Sequence, residues 1–215
     1  MRRLFYSFLA LVLFALGIAY LIARTGLVTI PVVSAVAYQQ PTADHVVTAS
    51  TSVTDELQAQ LIAALQTKLN SGTLSDANAS LSFTEGSLTT SLREAIKQGA
   101  QTVFNADASQ VALLADGSVE FFLPLVQNGG VSNILLTVTP SVTDGKIVFA
   151  VTRFRVGQLA FPSFMQFLVQ WPVDKLVAQL NDFVEKYVAL SSIKIEQGIV
   201  HVDGTMTLDL KTLLK

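Results

Sequence analysis

Hydrophobic and polar positions along this chain fall into three regimes. Residues 4–23 contain no charge at all. From Thr54 to Gly99, apolar residues recur at the three- and four-residue steps of amphipathic helices. After Asn105 they alternate with polar residues at period two, the pattern of β-strands, until a second helical stripe opens near Pro172. The order predicts an apolar helix, two amphipathic helices, antiparallel hairpins, one long helix and a closing hairpin.

The first stripe is Leu57, Leu61, Ala64, Leu65 and Leu69, with Thr54 as N-cap, Asp55 and Glu56 in the first turn, and Asn70, Ser71 and Gly72 as its stop. Residues 80–83 read as a short strand. Thr84 caps a second helix along Leu88, Leu92, Ala95 and Ile96, closed by Gly99. Hairpin turns are expected at Asp116-Gly117, Asp144-Gly145, Gln197-Gly198 and Asp203-Gly204, because such pairs take the positive φ of tight turns. Met206, Leu208 and Leu210 alternate with Thr205, Thr207 and Asp209, which gives the last strand one wet face. In "VEFFLPLV" both faces are apolar, and Pro124 marks an edge or a bulge. The long helix has Pro172 in its first turn and a stripe of Val173, Leu176, Val177, Leu180, Phe183, Val184, Tyr187 and Val188, placed in the concave face of the sheet. The fold class expected is α+β: an N-terminal transmembrane helix, then a curved antiparallel β-sheet wrapped around a long amphipathic helix.

Twenty uncharged residues, 4–23, would span about 30 Å as a helix, the thickness of a bilayer core. Arg2 and Arg3 favour a cytoplasmic N-terminus, while Arg24 on the far side runs against that orientation. The apolar run is longer than a signal peptide's, and the small residues 35–37 lie well past it, so an uncleaved anchor is expected. The divisions that follow are a transmembrane anchor at 1–24, an extended linker or membrane-proximal segment at 25–51, where Pro31 and Pro41 disfavour helix, and an extracytoplasmic domain at 52–215. The localisation expected is a single-pass protein of the cell membrane, its C-terminal domain outside.

Composition narrows the chemistry. Hydrophobic residues make up 51% and charged residues 14%, which excludes disorder. Setting aside Arg2, Arg3 and Arg24 takes the formal charge from −2 to −5, unsuited to nucleic acid. Without cysteine there is no disulfide framework and no thiol catalysis. His45 lies in the linker and His201 on the polar face of a strand, too few for a metal site or a histidine-dependent triad. Ser191 and Lys194 match the S-x-x-K spacing, but at a helix–strand junction rather than a helix start. The carboxylate pairs Asp55-Glu56 and Asp182/Glu185 sit where solvation and helix dipoles account for them. Neither an enzyme nor a cofactor is expected.

What stands out is "VGQLAFPSFMQFLVQWPVDKLVAQL", bracketed internally by Pro162 and Pro172. Its Phe161, Phe164, Phe167, Leu168 and Trp171 are either ordinary core, the lining of an acyl-chain cavity, or a lip that dips into a membrane. Arg153 and Arg155 are placed on one strand face with Ile147, Phe149 and Val151, as a solvent-exposed strand end or a cationic lip for an anionic head group.

The element order, with "LSFTEGSLTTSLREAI", "VTPSVTDGKIVFAVTRFRVGQLAFP" and "IKIEQGIVHVDGTMTL", resembles the bacterial YpmS-like membrane-anchored envelope proteins within the tubular lipid-binding (TULIP-like) superfamily, over residues 50–215. The resemblance implies a strongly curved sheet around a long helix, an apolar groove for lipid chains, and no catalytic residues. The function expected is a membrane-tethered, extracytoplasmic, non-catalytic module binding membrane lipid or another acyl-chain ligand in an apolar groove. Its candidate lining is Phe121, Phe122, Phe149, Phe154, Phe161, Phe164, Phe167 and Trp171. The alternative is a scaffold subunit whose apolar surface is covered by an envelope protein partner.

Overall fold

The computed structural model describes residues 2–43, 45–71, 77–99, 103–126, 132–184, 188–196 and 198–206. Its helices are α1 (Arg2–Thr25), α2 (Val33–Ala37), α3 (Val53–Ser71), α4 (Glu85–Gln98) and α5 (Phe167–Val184). The strands are β1 (Ala77–Thr84), β2 (Gln110–Leu113), β3 (Val119–Pro124), β4 (Asn133–Thr143), β5 (Lys146–Val156), β6 (Leu159–Ala160), β7 (Val188–Glu196) and β8 (Ile199–Met206). They form two antiparallel sheets, β1-β8-β7 and β2-β3-β4-β5-β6, in place of the single wrapped sheet expected. One core joins the two: Val111, Val119, Val138, Ile147 and Val151 of the larger sheet meet Val173 and Val177 of α5 and Leu190 and Val200 of the smaller.

The helices hold the sheets by their edges. An edge strand presents alternate backbone N–H and C=O groups with no strand to receive them. On the β2 edge, α4 offers Glu85, Thr89 and Arg93 at four-residue steps. Glu85 Oε1 accepts from Leu113 N (2.6 Å) and Arg93 Nε donates to Ser109 O (2.9 Å). Between them Thr89 Oγ1 accepts from Val111 N (3.0 Å) and donates to Val111 O (3.2 Å). Four helical residues rise about 6 Å and two strand residues about 6.7 Å, so helix and strand stay in step.

On the opposite edge α5 runs antiparallel to β5. Gln166 Nε2 donates to Thr152 O (2.8 Å), and Gln170 accepts from Val151 N (2.9 Å) while donating to Phe149 O (2.7 Å). Further along, Asn181 accepts from Ile147 N and donates to Ile147 O, both at 2.8 Å. In the smaller sheet Gln60 of α3 brackets Ser82 of β1 in the same way, at 2.9 and 2.6 Å. Polar residues inside the apolar α5 stripe therefore stand in for a missing strand.

Several expectations are corrected. Helix α1 forms over the apolar run, but among the described residues no helix is long and apolar enough to cross a membrane. Tyr6, Ser7, Gly17 and Tyr20 lie within its uncharged run. Its last turn is also taken up by the domain: Ala23 is fully buried, Gln158 N donates to Arg24 O (2.9 Å), and Arg24 Nη2 donates to Gln158 O (3.3 Å). Residues 25–51 are not simply extended, because α2 interrupts them, entered through Val32 at φ 68°. Helix α3 is capped by Ser52, whose Oγ accepts from Asp55 N, rather than by Thr54. Helix α5 starts five residues before Pro172, which lies inside it. At its far end Tyr187 lies outside the described residues and Val188 already begins β7.

The closing turn is at Gly198 (φ 77°), with Gln197 outside the described residues. Asp203 and Gly204 instead sit in the middle of β8, paired with Ser80 and Ala79 on one side and with Ser192 and Leu190 on the other. Being in register with strands on both flanks outweighs the local turn preference of Asp-Gly. Leu208, Leu210, Thr207 and Asp209 lie outside the described residues.

Gly157 holds α1 in place. It sits at φ 56°, and a Cβ there would strike the carbonyls of Thr25 and Arg24. Gly157→Ala should push the end of α1 off the β5–β6 turn and expose Arg24, raising the rate of tryptic cleavage after Arg24 in the native protein. An unchanged rate would show that this contact does not hold the helix end.

Candidate functional site

Pinning by Gln166 and Gln170 sets the orientation of the first two turns of α5. Pro162 opens a tight turn, Ser163–Met165, in which Met165 N donates to Pro162 O (2.9 Å). The glutamines then face β5, with Val169, Val173 and Val177 beside them toward the core. Residues 164, 167, 168 and 171 share the spacing i, i+3, i+4, i+7 and fall on the outer side. Phe164 is 74% exposed, Phe167 67%, Leu168 53% and Trp171 67%. The inner side therefore mixes valines with glutamines, while the outer side carries aromatics where a surface helix ordinarily carries polar residues. Lys175 Nζ lies 4.9 Å from the centre of the Trp171 ring, a cation–π pair at the rim of this patch.

The other candidate lining residues do not join these in one groove. Phe121, Phe149 and the central valines lie on the inner face of the larger sheet, packed into the core. Phe154 pairs with Leu136 on that face, and its ring meets Phe161 at 5.0 Å. Phe122 points to the opposite face and is buried there. Phe149 also lines a shallow cleft of about 260 Å³ between β5 and α5, with Lys146, Asp174, Asn181 and Asp182.

Arg153 and Arg155 do not share a face with Ile147, Phe149 and Val151. The register of β4 against β5 shifts between Thr137 and Val138, with Val151 opposite Val138 and Arg153 opposite Thr137. The extra residue, Thr152, reverses the alternation, so both arginines lie on the outer face, away from α5. Arg153 is exposed and lies near Asp116. The carboxyl of Asp116 is held below the ordinary carboxylate range chiefly by hydrogen bonds from Ser118, with Arg153 a lesser cause. Arg155 is half-buried opposite Leu135.

The strand register also gathers a polar ladder that sequence spacing did not reveal, because Ser82 and His201 are far apart in the chain. Ser82 Oγ lies 3.0 Å from His201 Nδ1, and Asp203 follows on the same face of β8. The Asp203 carboxylate accepts from Ser192 Oγ (2.8 Å), and hydrogen bonds from Ser192 and Ser80 lower its pKa. Its main partners are thus serines rather than the imidazole, so it does not orient His201 as the third member of a triad would. The ladder is a hydrogen-bonded solvent face of the smaller sheet. Among the described residues no group of three or more His, Asp or Glu side chains could hold a metal ion.

A second exposed apolar element is α1. Helix α1 docks at Gln158, just past the C-terminal end of β5, and α5 begins beside Thr152 at that same end. Leu11, Leu13, Phe14 and Leu16 of α1 are exposed as well. No protein-family model, curated protein or solved structure matches this chain.

Proposed function

We propose that this protein is a non-catalytic lipid-binding module that engages a lipid surface through Phe164, Phe167, Leu168 and Trp171. The observation that carries the reading is the turn and start of α5, where four large apolar side chains point to solvent while Gln166 and Gln170 face the sheet. Transfer of a Phe side chain out of water contributes about 1.5–3 kcal/mol at full burial, so the patch can supply several kcal/mol before ordering costs. Trp171 with Lys175 at its rim suits an interface where one side is apolar and the other wet. The exposed apolar side chains of α1 add to the apolar surface left without a protein partner among the described residues. Kinship with the tubular lipid-binding superfamily belongs to the same proposal, supported by the order of elements and by a long helix laid along a long antiparallel hairpin. So does a location at the extracytoplasmic face of a cell membrane, with the aromatic patch as the surface that meets the lipid.

The test is sedimentation with phosphatidylcholine–phosphatidylglycerol vesicles. Phe164→Ser combined with Phe167→Ser should weaken binding by about 10- to 100-fold, which corresponds to about 1.4–2.8 kcal/mol. Thermal unfolding should barely move, because these side chains have few protein neighbours to lose. Unaltered vesicle binding by a folded double variant would overturn the proposal. Capture of a stoichiometric protein by the same patch, without vesicle binding, would replace it with the scaffold reading.

A further inference from the structure

The segment after α2 crosses the outer face of the larger sheet as a strap, and beneath it lies a second cleft, of about 320 Å³. Its roof includes Pro41 and Thr42; its floor includes Phe122 and Pro124, with Ser132 and Asn133 at one side. The strap is tied down at intervals. Gln158 Nε2 donates to Gln39 O (2.8 Å), Asn133 Nδ2 donates to Pro41 O (3.1 Å), and Val47 N donates to Gln110 Oε1 (3.2 Å).

Asn133 is 2% exposed, and its Oδ1 is buried with no hydrogen-bond partner among the described residues. The orientation of the amide is settled by its neighbour, since only the NH₂ group can face the carbonyl of Pro41. A buried acceptor left without a donor is costly, and native folds rarely keep one unless something supplies the donor. The cleft volume is at the lower limit of small-molecule pockets. Its floor at Phe122 and Pro124 is apolar and, among the described residues that line it, the buried side-chain atom left unanswered is an acceptor, so the complementary ligand is neutral, carries one O–H or N–H donor, and has a short hydrocarbon body.

We propose that this cleft binds a small neutral amphipathic molecule of the short-chain alcohol class, its hydroxyl donating to Asn133 Oδ1 and its chain lying on Phe122 and Pro124. The site is separate from the aromatic patch on α5, and it stands or falls independently of vesicle binding. A charged ligand is disfavoured, because none of these lining groups offers a countercharge.

The test uses two isomeric probes on the full chain, 1-hexanol and methyl pentyl ether, followed by amide chemical shifts in an NMR titration. They have the same heavy atoms, but only the alcohol donates. Hexanol should shift the Asn133 side-chain amide and the backbone amides of Phe122 and Ser132, and should bind about fivefold more tightly than the ether, the factor for a neutral hydrogen bond of about 1 kcal/mol. Asn133→Asp keeps an acceptor and should retain the preference, whereas Asn133→Leu should abolish it. Equal affinity for alcohol and ether, or a preference that survives Asn133→Leu, would overturn the hydrogen bond. Absence of shifts with both probes would mean that water alone fills the cleft, and the proposal would fall.

Discussion

Asn181→Leu should lower the unfolding free energy by about 2–4 kcal/mol, although leucine has the same branched shape as asparagine and a greater taste for burial. Asn181 is 8% exposed, and both its hydrogen bonds go to Ile147, one to the N–H and one to the C=O. Removing the amide leaves two backbone groups beneath α5 without partners, each costing about 1–3 kcal/mol. Burial of the leucine methyls offsets part of that loss. Against a typical domain stability of about 5–15 kcal/mol the remainder is a large fraction. Urea unfolding measures it, with Asp182→Asn as an exposed control expected to stay within about 0.5 kcal/mol. If Asn181→Leu matched the control, the Asn181 bracket would contribute nothing to holding α5 on β5.

Thr89→Val should cost a similar amount, about 2–4 kcal/mol, on the other side of the sheet. The substitution preserves shape and removes only the hydroxyl. Thr89 is fully buried, and its Oγ1 both accepts from Val111 N and donates to Val111 O. Valine returns neither bond, and β2 is only four residues long, so there is little other ladder to hold it. Amide hydrogen exchange at Val111 gives a local readout: its protection should collapse in Thr89→Val while protection at Val138 in the centre of the sheet falls only with global stability. Retained protection at Val111 would show that β2 is held by β3 without help from the helix.

The two edge brackets explain which parts of the architecture can be read from sequence. Period-two alternation locates β2 to β5, and the positive-φ pair Asp144-Gly145 turns where Asp-Gly should. Those signals are local, and local signals survive folding. Gln166 and Gln170 read along the chain only as interruptions of an apolar stretch, and Asn181 reads as part of the polar side of the helix, although it is buried against Ile147. Their purpose depends on β5 being an edge, a fact about strand order that no window of sequence holds. The same ignorance of neighbours misplaces Asp203-Gly204, a turn by local preference and a central-strand pair in the fold. It also misplaces Arg153 and Arg155, because one extra residue, Thr152, reverses every side chain beyond it. The apolar excess of "FPSFMQFLVQWP" is legible in composition. Its outward direction is not, because it follows from the glutamines facing in.

Trp171 is the sole tryptophan of the chain, and it lies in the aromatic patch at 67% exposure. Its fluorescence therefore reports the environment of that patch with no other indole to obscure it. The most direct measurement is emission of the wild-type protein mixed with vesicles of ordinary or chain-brominated phosphatidylcholine and phosphatidylglycerol. Engagement of the lipid surface predicts a blue shift with ordinary vesicles and strong quenching by the brominated lipid, both lost in the Phe164→Ser, Phe167→Ser variant. Emission that stays at the wavelength of solvated indole, unquenched while the protein is bound to the vesicles, would contradict the account, since some other surface would then be making the contact.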